Sequence, residues 1–294
     1  MPETSPKLIR VGHSPDPDDA FMFYALAHEK IDMCGFKVEH VIEDIESLNQ
    51  RALEGELEVT AASCHAYAYL ADKYIVMRSG ASVGDKYGPI LVTRATAPGV
   101  EHGAWDVMRG PQIAIPGELT TAYLTLQLYS FSVDRCALRG FAPVFVPFDQ
   151  IFDAVKSGEA DFGLVIHEGQ ITHAEHGLRK VLDLGCWWHE KTQLPLPLGI
   201  DIIRRDLGPA TIAAFSRLFK ESIEYALNHR AEALEYASQF GRGISGDLND
   251  RFVAMYVNER TVDIGHDGEA GFRRLMDEAY QHKIIPHKVK LEFI

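Results

Sequence analysis

Two segments, GELEVTAASC (55–64) and GEADFGLVIH (158–167), resemble each other; the first starts at 55 and the second at 158, an offset of 103 residues. Each opens on the Gly-Glu that ends a helical pattern and runs into a short apolar stretch, the mark of a buried strand. The segments ahead of them also correspond. IRVGHSPDPDDAFMFYAL and IAIPGELTTAYLTLQLY both read as strand, polar loop and helix. Such a duplication predicts two α/β units. The first holds LIRVGH (8–13), DDAFMFYALAHEK (18–30), KVEHVI (37–42), IESLNQRALEG (45–55) and EVTAAS (58–63). The second holds QIAIPG (112–117), TAYLTLQLYS (121–130), PVFVPF (143–148), DQIFDAVKSG (149–158) and FGLVIH (162–167). Their β-α-β-α-β order implies parallel sheets with right-handed crossovers. From about residue 209 the pattern is helical to the end.

Two stretches suit the passages between units. YGPILVTR (87–94) and QLPLPLGIDIIRR (193–205) each mix Pro and Gly with an extended apolar run. The second unit is then an insertion. The expected division is residues 1–92 and 199–294 for the first unit, with the C-terminal helices, and 93–198 for the second. A chain of 294 residues has room for two such cores. Its net charge of −13 argues against nucleic acid, which is bound by neutralising phosphates. A small anion is still admissible, because backbone dipoles can hold one inside an acidic protein. No apolar run reaches the length of a membrane span, and the start MPETSPKLIRVG has no apolar signal core. Cys34, Cys64, Cys136 and Cys186 are far apart and include no C-x-x-C pair, which favours neither a zinc framework nor a disulfide scaffold. The expected compartment is the cytoplasm.

In parallel sheets ligands collect beyond the carboxyl ends of the strands. If the two units face one another, Ser63 and Cys64 end one strand and His167 ends its counterpart across a cleft. His167 then reads as a structural histidine, a metal ligand or a proton-transfer group. HEGQITHAEH adds His173 and His176, but the spacing fits no H-E-x-x-H pattern, and those two read as solvated. Cys64 and His65 are adjacent and point apart, so they make a poor nucleophile–base pair. In HSPDPDDAF, Asp16 fits an N-cap, Pro17 the first helical position, and Asp18 and Asp19 the positive helix end. The same acids could accept hydrogen bonds from substrate hydroxyls. A metal held by His13, Asp16 and Asp18 would require all three to turn away from capping. In GELTTAYL, Thr120 or Thr121 caps, and the N–H groups near Thr121 and Ala122 form an anion seat. SGASVGDKYGP spaces Gly80, Gly84 and Gly88 for close approach of backbone to a ligand, without the Gly-Lys-Ser/Thr ending of a phosphate loop.

Together SPDPDDAFMFYAL, SCHAYAYL, GPILVTR, TTAY, VIHE, LPLPLG and YVNERTVDIG resemble the 1,4-dihydroxy-6-naphthoate synthases of the futalosine route to menaquinone. The likeness runs from about residue 8 to about residue 270, in order. It implies a fold like that of the periplasmic binding proteins of the second type, two α/β lobes joined by two crossing strands. It implies a carbon–carbon lyase acting on a small anionic substrate, cyclic dehypoxanthine futalosine, and releasing 1,4-dihydroxy-6-naphthoate and dihydroxyacetone, with no cofactor or metal. The histidine of VIHE, the expected base, falls on His167. Substrate contacts fall on Ser63, with Ala61 and Ala62 before it, and on Thr121 and Ala122. The first loop departs from the usual Ser-Pro-Cys-Pro-Asn-Asp-Thr-Phe at Asp16, Asp18 and Ala20, and Gly169 stands where a serine is also seen. The alternatives are the chorismate dehydratase of the same pathway and a non-enzymatic anion-binding protein of this fold.

Overall fold

The computed structural model describes residues 6–95, 110–132, 138, 140–241 and 246–294; Cys136 lies outside the described residues. The chain opens with β1 (Lys7–His13), α1 (Pro17–Ala27), β2 (Phe36–Ile42), α2 (Ile45–Glu54), β3 (Val59–Ser63), α3 (Cys64–Leu70), β4 (Tyr74–Val76) and β5 (Ser82–Gly84). It continues through β6 (Ile90–Arg94), β7 (Gln112–Ile115), α4 (Thr121–Ser132), β8 (Ala142–Phe145), α5 (Ile151–Ser157), β9 (Phe162–Val165), α6 (Gly169–Thr172), β10 (Leu178–Asp183) and α7 (Leu184–Thr192). β11 (Leu196–Arg204) leads to α8 (Pro209–Asn228), α9 (Arg230–Ala237), α10 (Gly246–Tyr256), α11 (Glu259–Val262) and α12 (Gly265–Gln281).

The strands form two sheets of the same design. The first has the order β2-β1-β3-β11-β4, with β5 also paired to β11. β1, β2 and β3 are parallel and β11 runs antiparallel to β3. The second has the order β10-β6-β9-β7-β8; β7, β8 and β9 are parallel and β6 runs antiparallel to β9. The sequence duplication is thus a duplication of structure. The helix before each third strand ends on a left-handed glycine, Gly55 at φ 73° and Gly158 at φ 85°, a conformation that glycine takes without a Cβ clash.

Burial on both faces explains why these strands read as continuous apolar runs rather than alternating ones. In the second sheet Leu91, Ile113, Ile115 and Leu164 pack with Ala122 and Leu126 of α4. Ile90, Val92, Ala114 and Val165 pack with Ile151, Ala154 and Val155 of α5. In the first sheet Ile9, Val11, Val59 and Ile203 pack with Phe21 of α1 and with Phe215 and Phe219 of α8. Leu48 of α2 covers the opposite face with Leu57.

By contacts the chain divides into residues 1–83, 197–273 and 289–294, and residues 84–196 and 274–288. Both stretches expected to connect the units are strands: β6 is a full member of the second sheet and β11 of the first. The C-terminal helices, expected wholly in the first unit, are shared. The end of α12 joins the second unit because Glu278, buried there, is paired by Arg274 and by Lys191 of α7. Two glycines of SGASVGDKYGP, Gly80 and Gly88, expected to allow close approach of a ligand, are packed against protein. A Cβ on Gly88 would lie 2.9 Å from the backbone nitrogen of Gly185, and one on Gly80 would lie 2.1 Å from Asp201 Oδ2. Gly80 also has φ +92°. Gly80→Ala therefore combines backbone strain with overpacking and should cost on the order of 3 kcal/mol in a denaturant melt. A melt within 0.5 kcal/mol of the parent, about the spread of neutral substitutions, would contradict this packing.

Candidate active site

Three loops of the second sheet leave its parallel strands at their carboxyl ends. His167 follows β9 after Ile166. Its φ is +55°, the left-handed region that histidine enters more readily than most residues. Its backbone oxygen accepts from Gln170 N at 3.1 Å, which closes the turn into α6. The imidazole stands edge-on to Phe148, with ring centroids 5.2 Å apart at 73°. Phe148 begins a short 3₁₀ turn after β8. Gly169 makes this turn possible. A Cβ there would come within 2.5 Å of Val165 Cγ1 and 3.2 Å of Phe152 Cζ. The glycine at this position thus has a packing cause in this chain.

β7 pairs with β9 in parallel, Ile113 beside Phe162 and Ala114 beside Gly163. The loop after β7 and the turn after β9 therefore emerge at the same edge. The β7 loop opens α4. Between the two candidate caps the structure selects Thr120, whose Oγ1 accepts from Tyr123 N at 3.2 Å and donates to Gly117 O at 2.9 Å. The N–H groups of Thr121 and Ala122 lie in the first turn, where no helical carbonyl precedes them. No acidic residue occupies that turn. The other two histidines stand apart: His173 Nδ1 meets Gln170 O at 3.1 Å, and His176 is exposed beside Lys156 and Phe152.

The first sheet has its own carboxyl edge. Ser63 ends β3 and is buried. Its N–H donates to Asn49 Oδ1 at 2.9 Å, and its Oγ accepts from Asn49 Nδ2 at 3.1 Å. Ala61 and Ala62 precede it, opposite Asp201 and Ile200 of β11. β1 ends on His13. Ser14 O can only accept, so His13 Nδ1, at 3.0 Å, carries a proton; Nε2 then accepts from His40 Nδ1 at 3.0 Å. His13 stacks on Phe23, which stacks on Phe219. Burial, then the neighbouring His40, lowers His13 to about 4; burial, then His28, lowers His40 to about 4. Both are neutral at pH 7. Asp16 is the N-cap of α1 and Pro17 its first residue, but Asp16 makes no side-chain cap. Its Oδ2 accepts from Ser14 Oγ at 2.7 Å, and Asp19 Oδ2 accepts from Ser14 N at 2.6 Å. The acids of this loop thus shape the loop itself. Among the described residues no three His, Cys, Asp or Glu side chains are arranged to hold a metal ion, and no helix is long and apolar enough to cross a membrane.

The profile of the menaquinone biosynthesis family matches residues 9–281. A curated 1,4-dihydroxy-6-naphthoate synthase of Thermus thermophilus is 41% identical over 271 residues, 92% of this chain and 93% of that protein. This chain belongs to the menaquinone biosynthesis family. The family fold is also seen in a crystal structure of protein AF1704 from Archaeoglobus fulgidus, 46% identical, with a TM-score of 0.84 over 95% of this chain and 98% of that one. The alkanesulfonate-binding protein SsuA of Xanthomonas axonopodis pv. citri, bound to MOPS, is only 13% identical. It superposes with a TM-score of 0.70 over 97% of this chain and 96% of its own. The fold is that of the periplasmic binding proteins, as the sequence resemblance implied.

Two buried polar residues packed at the first sheet escaped the sequence reading. Asn49 sits among Ile45, Leu48 and Ala52 on the inward stripe of α2, and an amide on an apolar stripe was the available signal. Asp201 lay hidden in an apolar run taken for a connecting strand. It is buried in β11, its Oδ1 has no hydrogen-bond partner among the described residues, and burial, then Asp19 and Asp18, raises its carboxyl well above the usual range. A carboxyl raised in this way keeps its full stability below the unfolded value of about 4 and loses stability as pH rises from there. Asp201→Asn removes that loss. Its melting temperature relative to the parent should climb as pH rises above about 4. The histidine pair, whose contribution is lost as pH falls from 6.5 towards 4, is common to both proteins and cancels. A difference independent of pH would show that Asp201 ionises normally.

Proposed function

We propose that this member of the menaquinone biosynthesis family cleaves cyclic dehypoxanthine futalosine to 1,4-dihydroxy-6-naphthoate and dihydroxyacetone, with His167 as general base. The observation that carries the reading is the shared carboxyl edge of β7 and β9. It brings a fixed imidazole and the first turn of a twelve-residue helix to one side of one sheet. Membership of the family, with a naphthoate synthase as a close relative, supports the choice of reaction.

The product is a carboxylate. The first turn of α4 suits it: N–H groups at a positive helix end, and no acidic residue within the turn. With that group anchored at Thr121 and Ala122, His167 removes a proton from a substrate hydroxyl. The electron pair left on oxygen drives collapse of the cyclic ketal, and the bond to the three-carbon fragment breaks. Gain of the aromatic ring draws the reaction forward. Phe148 holds the imidazole plane so that one ring nitrogen keeps its aim, the positioning on which proton transfer depends. Ser63, with Ala61 and Ala62, supplies further contacts to the substrate. The acidic net charge of −13 is compatible with a small ligand and argues against nucleic acid, and the reading puts the enzyme in the cytoplasm.

His167→Asn is the suitable test, because asparagine also tolerates a left-handed backbone. Loss of a general base commonly costs roughly a hundred- to ten-thousand-fold in rate. The variant should melt close to the parent and turn over more slowly by a factor in that range. Normal turnover per folded molecule, with a lowered melting temperature, would mean that His167 is structural.

A further inference from the structure

Ser63 stands between β3 and α3, where a serine oxygen ordinarily accepts an N–H of the following turn. Here it makes no such cap. Its oxygen is engaged by Asn49, a side chain of α2 with no exposed surface. The amide's orientation follows from its partners. Ser63 N–H can only donate, so the Asn49 atom facing it at 2.9 Å is the carbonyl oxygen. The atom facing Ser63 Oγ at 3.1 Å is then the NH2 group, which can only donate. Ser63 Oγ is therefore an acceptor towards Asn49, and its one hydrogen points elsewhere. Among the described residues no acceptor takes that hydrogen.

We propose that Asn49 is a positioning residue that sets the polarity of the Ser63 hydroxyl. With Asn49 in place Ser63 meets substrate as a hydrogen-bond donor, and the substrate atom it selects is an acceptor oxygen: a carbonyl, a carboxylate or the alkoxide formed as the base acts. A substrate hydroxyl that needs an acceptor competes with Asn49 for the serine oxygen and finds only its second lone pair. The proposal rests on the reading that Ser63 touches substrate. It adds a direction to that contact and a second residue that imposes it. Asn49 is not on the sheet; it works by gripping the strand end through both the backbone and the side chain of one residue.

Asn49→Asp reverses the arrangement with almost no change in shape. A carboxylate accepts from Ser63 N as before, and it also accepts from Ser63 Oγ–H, which turns the hydroxyl hydrogen inward. The test is a cycle of four proteins: parent, Asn49→Asp, Ser63→Ala and the double variant. kcat and KM are measured with cyclic dehypoxanthine futalosine, and a melting temperature with each. One hydrogen bond to a polar or charged group is worth roughly five- to a hundredfold in kcat/KM. Ser63→Ala should lose a factor in that range, Asn49→Asp should lose a similar one, and the double variant should be no worse than either. If the two losses multiply, Asn49 acts independently of the hydroxyl and the proposal fails while the Ser63 contact stands. If Ser63→Ala is as active as the parent, the contact itself fails and the proposal with it. Should the buried carboxylate prevent folding, Asn49→Ala takes its place in the same cycle. It frees the hydroxyl to rotate, and its loss must likewise vanish in the Ser63→Ala background.

Discussion

A strand buried on both faces has little room for a charged side chain except at its ends. That constraint governs both sheets. β7 is apolar from Ile113 on and β9 throughout, β1 and β3 are interrupted by Arg10 and Thr60, and the carboxyl ends of the four carry His13, Ser63, the Thr120–Thr121 pair and His167. The same strands run in parallel within each sheet, so those ends emerge together. Chemistry at such an edge is held by the sheet and reached through loops, which is why a fold with solute-binding relatives can also host an enzyme.

Asp201 is the exception, an acid in the middle of a buried strand. It is tolerated because it need not ionise and because Gly80 leaves it room. Its neighbours Asp18 and Asp19 lie at the start of α1, where the helix end favours negative charge. The three acids and the neutral pair His13 and His40 leave the first loop without a cation of its own. Its fold depends on Ser14, whose N–H and hydroxyl answer Asp19 and Asp16.

The duplicated segments made the architecture legible. The Gly-Glu helix ends, the apolar strands after them and the polar loops ahead of the helices all recur as matching elements; the antiparallel fourth strand of each sheet, β11 and β6, departs from the parallel sheets that the order of elements implied. His167 stood out because an ionisable residue follows an apolar run. The remainder depends on contacts distant in sequence. That α12 ends in the second unit follows from Lys191 meeting Glu278. The space at Gly80 is defined by Asp201, 121 positions later in the numbering. Phe148 read as the end of a strand, yet it starts the turn that braces the imidazole. Asn49 looked like one polar residue on a helix, and only the loop that brings β3 back beside α2 gives it Ser63 as a partner.

Turnover of the substrate tests the account most directly. Purified protein is incubated with cyclic dehypoxanthine futalosine, without added metal or cofactor, and the products are followed by mass spectrometry. The account predicts 1,4-dihydroxy-6-naphthoate and dihydroxyacetone in equal amounts, growing in proportion to enzyme. Unchanged substrate in the presence of folded protein would contradict it.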